Sequence, residues 1–225
     1  VTQDQPAQVA IVDYGLGNLF SVAQACIHVG LEPHITASPR EIENAKGVII
    51  PGVGAFGSAM ETLTRLDLVS VLQDVAASDA PLLGICLGAQ LLLDESDEFG
   101  AHAGLGIIRG RVASLGQPHE GARVLKVPQV GWNRVARSHA PGSINSWSGT
   151  LLDGQDDGTF MYFVHSYVMK PENDHVVLSV STYGDVEFCS GMERGNVTAF
   201  QFHPERSGPE GLRIYQRLAE RIRGF

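Results

Sequence analysis

Pro81-Leu-Leu-Gly-Ile-Cys-Leu-Gly-Ala-Gln-Leu-Leu-Leu93 decides the fold. Pro81 to Ile85 reads as a short buried strand, and Leu87 to Leu93 follows without a break as a helix. A strand feeding directly into a helix is half of a βαβ unit. The pattern recurs upstream. Val9-Ala-Ile-Val-Asp13 ends in the turn Gly15-Leu-Gly17, after which Leu19, Val22, Ala23, Cys26 and Ile27 share one helical stripe before Gly30. Pro33 to Ala37 and Gly47-Val-Ile-Ile50 read as further strands, the latter ending at Pro51-Gly-Val-Gly54, and residues 56–78 read as one or two helices. Short β-rich runs linked by helices of about 10–15 residues specify a parallel sheet.

Downstream the character changes. Short strands broken by Gly and Pro run from Leu105 to Val135, and residues 138–158, rich in Ser, Gly and Asp, read as surface loop. Phe160 to Val168, Val176 to Tyr183, Val186 to Met192 and Val197 to Phe202 read as strands with hairpin spacing. A last helix spans about Pro209 to Ile222, with Leu212, Tyr215, Leu218, Ala219 and Ile222 on one stripe. The expectation is one α/β domain over residues 9–225, preceded by a polar tail over residues 1–8. Its central sheet is mostly parallel, flanked by helices, with an antiparallel extension.

A chain of 225 residues buries about 70% of its unfolded surface and needs no disulfide or metal staple. Hydrophobic residues at 44% and charged residues at 18% exclude a disordered chain. Sixteen Lys and Arg against 25 Asp and Glu give a net charge of −9, so no nucleic-acid partner is expected. No run approaches the ~20 apolar residues of a membrane span, so no membrane association is expected. Val1-Thr-Gln-Asp-Gln-Pro-Ala-Gln8 has the marks of neither a secretory signal nor a transit peptide. Cys26, Cys86 and Cys189 are odd in number and form no CxxC pair, which fits a reducing, cytoplasmic setting. The histidines show no metal-binding spacing, and neither metal nor cofactor is expected.

Gly84-Ile-Cys86-Leu-Gly88 has the spacing of a nucleophile elbow with Cys in place of Ser. Its glycines suit a tight, strained turn, and the free N–H groups of a helix start favour a thiolate. The Leu87 N–H would face an oxyanion. A structural cysteine in a Gly-rich turn fits these residues as well. In Gln201-Phe-His203-Pro-Glu205, Pro204 suggests an extended backbone, in which His203 and Glu205 point the same way, as base and orienter. A turn histidine at a strand end is the alternative. Pro51-Gly52-Val53-Gly54 ends a parallel strand where open α/β sheets place ligands, and it offers a second oxyanion N–H or only a tight loop. Gly15-Leu-Gly17 lacks the third glycine of a dinucleotide fingerprint, Phe20 standing there, and reads as a tight turn. Asp94-Glu-Ser-Asp-Glu98 reads as a solvated helix end, and Cys26 and Cys189 as packing residues.

Gly84-Ile-Cys-Leu-Gly-Ala-Gln90 together with Gln201-Phe-His-Pro-Glu-Arg-Ser207 resembles the paired signature of class I, triad-type glutamine amidotransferases, whose fold is flavodoxin-like. Four further segments resemble one subfamily, the glutaminase subunits of imidazole glycerol phosphate synthase in histidine biosynthesis. They are Asp13-Tyr-Gly-Leu-Gly-Asn-Leu19, Pro51-Gly-Val-Gly-Ala-Phe-Gly57, Lys126-Val-Pro-Gln-Val-Gly-Trp-Asn133 and Phe163-Val-His-Ser-Tyr167. The match runs from Val9 to the final helix.

The resemblance implies that Cys86 attacks the side-chain amide of L-glutamine and forms a γ-glutamyl thioester. His203 would serve as base and then acid, and Glu205 would orient it. Backbone N–H groups at Leu87 and around Val53 would hold the oxyanion, with Gly52 and Gly54 as hinges of a strand that must reorient to complete the hole. Gln90 and Glu98 match positions that contact glutamine, Glu98 through the α-ammonium. Gly52 and the backbone near His165, Ser166 and Tyr167 match the rest of the glutamine site. The family works as a heterodimer with a (β/α)₈ cyclase subunit, which at ~250 residues cannot fit in this chain. Asn18, Pro128, Trp132, Asn133, Tyr162 and Arg206 match positions near that interface. The partner would use the ammonia to convert a ribulosyl aminoimidazole-carboxamide nucleotide (PRFAR) to imidazole glycerol phosphate and AICAR. Gln129-Val130 stands where His-Met is frequent, Arg206 where Lys is, and Ala89 where Met is. The first two bear on docking, because Arg and Lys differ in ion-pair geometry.

Overall fold

A computed structural model of the chain describes residues 8–224. The polar tail therefore lies outside the described residues except for Gln8, which already belongs to the first strand. The first half alternates as its sequence pattern specifies: β1 Gln8–Val12, α1 Leu19–His28, β2 Glu32–Thr36, α2 Pro39–Glu43, β3 Val48–Ile50, α3 Phe56–Arg65, α4 Leu68–Ala77, β4 Leu82–Ile85 and α5 Leu87–Leu91. Short strands β5 Glu95–Ser96 and β6 His102–Ala103 precede β7 Gly110–Ser114, β8 His119–Glu120, β9 Arg123–Val124 and β10 Gln129–Val135. The remainder is β11 Thr159–His165, β12 Tyr167–Pro171, β13 Val177–Tyr183, β14 Val186–Arg194, β15 Val197–Phe200 and α6 Gly208–Gly224.

The main sheet has the order β2-β1-β3-β4-β15-β14-β12-β7-β5-β6, with β13 paired to β14. β2, β1, β3, β4 and β15 run parallel, and from β14 onward most pairings are antiparallel. β1, β3, β4 and β15 are buried on both faces, as helices on either side require, while β2 at the edge is largely exposed. Val9, Ile11, Ile49 and Leu83 pack with Val22, Cys26, Ile214, Tyr215 and Leu218 of α1 and α6. Ala10, Val12, Val48, Ile50 and Leu82 pack with Ile42, Leu63 and Leu72 of α2, α3 and α4.

Three local readings are corrected. Residues 138–158 form no strand or helix, yet they bury Trp147, Leu151 and Leu152, and the Trp147 indole N–H donates to the Leu178 carbonyl at 2.8 Å. Their polar composition hides these anchors. The strand expected over Phe160 to Val168 is two strands split at Ser166. β11 pairs with β10 in a separate hairpin, and β12 joins the main sheet. Phe160 to Val164 and Tyr167 to Met169 are both continuous apolar runs, so nothing local marks the change of sheet. The helix after β4 stops at Leu91, because the Leu92 and Leu93 carbonyls turn away to bind the N–H groups of Ile107, Ile108 and Gly106. No described helix is long and apolar enough to cross a membrane.

Candidate active site

β1, β3, β4 and β15 are neighbours in the parallel half, and their C-terminal ends open on one edge. Tyr14 follows β1, Gly52 follows β3, Cys86 follows β4 and His203 follows β15. This is where open α/β sheets place ligands.

Cys86 occupies the joint of β4 and α5 with φ 52° and ψ −109°, a strained conformation for any residue but glycine. Its flanking glycines are obligatory. A Cβ at Gly88 would lie 1.8 Å from the Ile50 carbonyl oxygen, and one at Gly84 would lie 2.8 Å from the Ala89 Cα. The turn is fixed by the Cys86 N–H, which donates to the Phe200 carbonyl at 2.7 Å. The thiol is 6% exposed, 3.6 Å from the Val164 carbonyl and 3.7 Å from the Gln201 amide nitrogen. Cys26 and Cys189 are also free and buried, but burial pushes each of their thiols up to about 12. They are packing residues of α1 and β14.

His203 is buried, and its Nδ1 lies 2.8 Å from Glu205 Oε1, whose side chain is equally shielded. The contact is not made by an extended backbone as expected. His203 is extended, but Pro204–Arg206 form a single 3₁₀ turn that swings Glu205 back. Ser207 closes that turn by donating to the His203 carbonyl at 2.7 Å. The other ring nitrogen, Nε2, has no hydrogen-bond partner of ordinary geometry. Burial lowers the affinity of His203 for a proton, but the Cys86 and Glu205 side chains outweigh it and hold its pKa above the usual histidine range. The electrostatics thus join three side chains from two loops.

A cavity of about 230 Å³ opens beside the thiol, lined by Val53, Gly54, Leu87, Gln90, Glu98, Pro128 and the segment Val164 to Tyr167. It is small even for a metabolite site. The Gln90 amide nitrogen donates to the Tyr167 carbonyl and to Gln201 Oε1, both at 3.0 Å, leaving its own carbonyl oxygen uncommitted. Glu98 is half-buried and accepts the Phe56 N–H at 2.6 Å, at the start of α3, so it is not a merely solvated end of the acidic run. The His165 ring points into protein instead. Nδ1 meets the Tyr167 carbonyl at 3.0 Å and Nε2 the Gln129 amide at 3.1 Å, while Phe163 and Phe188 pack on the ring. Burial pushes its pKa down to about 4, so the ring is neutral, and its Nδ1–H donates to the Tyr167 carbonyl. His165, Ser166 and Tyr167 therefore meet the cavity at the strand break.

The Leu87 N–H donates to the Gly52 carbonyl at 3.4 Å. One of the two N–H groups expected at the oxyanion is thus engaged by the strand that carries the other. Gly54, at φ 116°, supplies the conformational freedom at the far end of that strand.

The remaining positions lie on the outer surface around this edge. Trp132 and Tyr162 pair across β10–β11 with ring centroids 6.1 Å apart, edge to face. The Arg206 guanidinium lies 4.9 Å from the Tyr162 ring centre. Trp132 is 56% exposed, and Val130 and Val53 are exposed beside this part of the fold. Asn18 caps α1 and accepts the Ser21 N–H at 3.3 Å. Asn133 stands apart, alternating with Trp132 along β10, and its amide donates to the Thr182 carbonyl at 3.0 Å. Two site residues carried no local signal: Gln201, which touches both Cys86 and Gln90, and Tyr14, whose hydroxyl donates to the Pro51 carbonyl. Gln201 stands two residues before His203, just past the end of β15, which is the one cue available. Among the described residues no group of three or more His, Cys, Asp or Glu side chains is placed to hold a metal ion.

The family described as glutamine amidotransferase class-I matches residues 10–220. The imidazole glycerol phosphate synthase subunit HisH of Moorella thermoacetica is 43% identical over 215 residues, covering 96% of this chain and 95% of that protein. The HisH subunit of Rhodopirellula baltica is 43% identical over 211 residues, covering 94% and 96%. A solved glutamine amidotransferase shares the fold with a TM-score of 0.70 at 18% identity, over 96% of this chain and 99% of that one.

Proposed function

The chain belongs to the class I glutamine amidotransferases, among the HisH subunits of imidazole glycerol phosphate synthase, and from that premise we propose how its residues act. The observation that carries the reading is the buried His203–Glu205 pair at 2.8 Å, coupled to a thiol on a strained strand–helix joint.

L-Glutamine enters the cavity beside Cys86. Glu98 receives its α-ammonium, the backbone at Ser166 and Tyr167 lies against its α-carboxylate, and Gln90 with Gly52 positions the side chain. The Cys86 thiol gives its proton to His203 Nε2 as sulfur bonds to the amide carbon. Glu205 at Nδ1 keeps the ring oriented and stabilises the imidazolium. When the tetrahedral species collapses, the C–N bond breaks, and His203 returns the proton to the departing ammonia. Water, deprotonated by the same ring, then opens the thioester to L-glutamate and free thiol. The oxyanion needs the Leu87 N–H and that of Val53. The first becomes free when the Gly52–Val53 peptide rotates, which also brings the second inward. At rest the hole is closed by its own strand, so hydrolysis waits for a signal.

That signal suits a partner. The exposed Trp132–Tyr162–Arg206 platform, with Asn18 and Pro128, makes a docking face for a (β/α)₈ cyclase subunit in a heterodimer. Ammonia passing across that face avoids bulk water, where it would protonate and lose its nucleophilicity. The cyclase would join it to PRFAR and release imidazole glycerol phosphate and AICAR. A reducing cytoplasm keeps the catalytic thiol free. A glutamine analogue bearing an electrophilic ketone tests the assignment. Label on Cys86 alone, protected by glutamine, is the expected result. Label on Cys26 or Cys189 instead would refute it.

A further inference from the structure

The loop after β1 takes no part in the chemistry above, yet it holds the strand that closes the oxyanion hole. Tyr14 is 2% exposed, and its hydroxyl donates to the Pro51 carbonyl at 2.5 Å. The same oxygen sits where a side chain at Gly52 would begin, since a Cβ there would lie 2.3 Å from it. Two residues on, the Leu16 side chain lies 3.6 Å from the corresponding point at Gly54, and a Cβ at Gly17 would be 3.5 Å from the Pro51 ring. One short loop therefore grips Pro51, Gly52 and Gly54 from one side.

On the other side Gly52 packs against Leu87 and Gly88, but the hydrogen bond there, from the Leu87 N–H, is 3.4 Å, beyond the usual range for a good N–H···O bond. That bond is too long to be the main restraint on the closed form. The Tyr14 bond is short, buried and made by a phenol that burial keeps protonated. The Gly52–Val53 peptide rotates about the Gly52 and Val53 Cα atoms. The phenol oxygen lies against Gly52 and fixes the peptide plane before it. With that side clamped, the rotation cannot be relieved by adjustment of the preceding peptide, and release of the contact eases it.

We propose that Tyr14 is a positioning residue that latches the Pro51–Gly54 strand closed over the Leu87 N–H. The latch has a handle. The loop that begins at Tyr14 ends at Asn18, which caps α1, and the next helical turn presents Phe20, 72% exposed. A partner that seats on Asn18 and Phe20 pulls on the loop that carries the latch. This rests on the amidotransferase reading and specifies how its waiting state is kept.

The test is Tyr14→Phe, assembled with the cyclase subunit and assayed for glutamate release with and without the cyclase's nucleotide substrate. One buried neutral hydrogen bond is worth roughly a three- to ten-fold change in an equilibrium. The unstimulated kcat is expected to rise by about that factor. The stimulated kcat and the KM for glutamine should stay within about two-fold, so the stimulation ratio falls by the same factor as the bond is worth. A merely structural role would instead lower kcat in both states together with the melting temperature, and that pattern overturns the latch. Leu16→Ala, which loosens the strand at Gly54 and leaves Tyr14 intact, is expected to shift the ratio in the same direction. An unchanged ratio in both variants also overturns it. A wild-type complex without glutaminase activity in either state would refute the amidotransferase reading itself, a result distinct from either of these.

Discussion

Cys86 is set apart by its dihedral angles as much as by its sulfur. A residue at φ 52° with glycine on either side is held where a thiol projects from the sheet edge. Cys86→Ala is expected to abolish glutamate release while leaving cyclisation driven by added ammonium in the complex. Residual glutaminase activity in that variant would remove the nucleophile assignment. Glu205→Gln keeps the shape of the buried pair but removes the charge facing His203 Nδ1, and kcat should fall on the order of 10²–10⁴-fold with KM little changed. His165 gives a pH prediction. Its folded pKa is about 4, below the unfolded value of ~6.5, so the unfolded chain takes up a proton first as pH falls. The stabilisation is complete above about pH 6.5 and drains away between 6.5 and 4, by up to roughly 3 kcal/mol. Urea unfolding across that window should be flatter for His165→Gln than for the parent, and equal slopes would contradict the account. At this scale the sequence was legible where chemistry and spacing coincide, at Cys86 with its glycines and at His203 with Glu205. Tyr14 and Gln201 were not, because their partners lie 37 and 115 residues away.

Elements read from sequence succeed where contacts are local and fail where they are not. The parallel half alternates strand and helix within short stretches, so β1 to β4 and their helices emerge from periodicity. α2, a single turn after Ser38, carries too little pattern to be seen. In the second half the strands are visible but their partners are not. The strand break at Ser166 is invisible in the sequence because β11 and β12 differ only in which sheet accepts them. That switch lines the cavity, and the family resemblance, not the local pattern, pointed to its residues. The fit of α5 against β3 is the most exacting junction. Gly88→Ala would push a methyl group into the Ile50 carbonyl, and backbone must move to admit it. Loss of glutaminase activity together with a lowered melting temperature is expected. Wild-type activity there would contradict the close approach. Trp147→Ala should cost about 3–5 kcal/mol, because a buried ring and its hydrogen bond to Leu178 are lost from a segment without regular structure. A loss below about 1 kcal/mol in urea unfolding would show that segment to be peripheral.

For the whole molecule, one sheet edge serves two tasks. The C-terminal ends of the parallel strands carry Cys86 and His203, and the hairpin β10–β11 beside them presents an aromatic and cationic platform outward. Trp132→Ala is expected to weaken heterodimer formation by about 2 kcal/mol, roughly thirty-fold in Kd, as for a central aromatic anchor. Calorimetric titration against the cyclase subunit reads this directly, and an unchanged Kd would move the docking face elsewhere. The central claim is a glutaminase whose oxyanion hole is closed at rest. Its most direct test is glutamate release from L-glutamine by the chain alone, by the chain with equimolar cyclase subunit, and by that pair with PRFAR. Little release is expected from the chain alone, and a sharp rise when partner and nucleotide are both present. Full release from the isolated chain, unchanged on adding either, would contradict it.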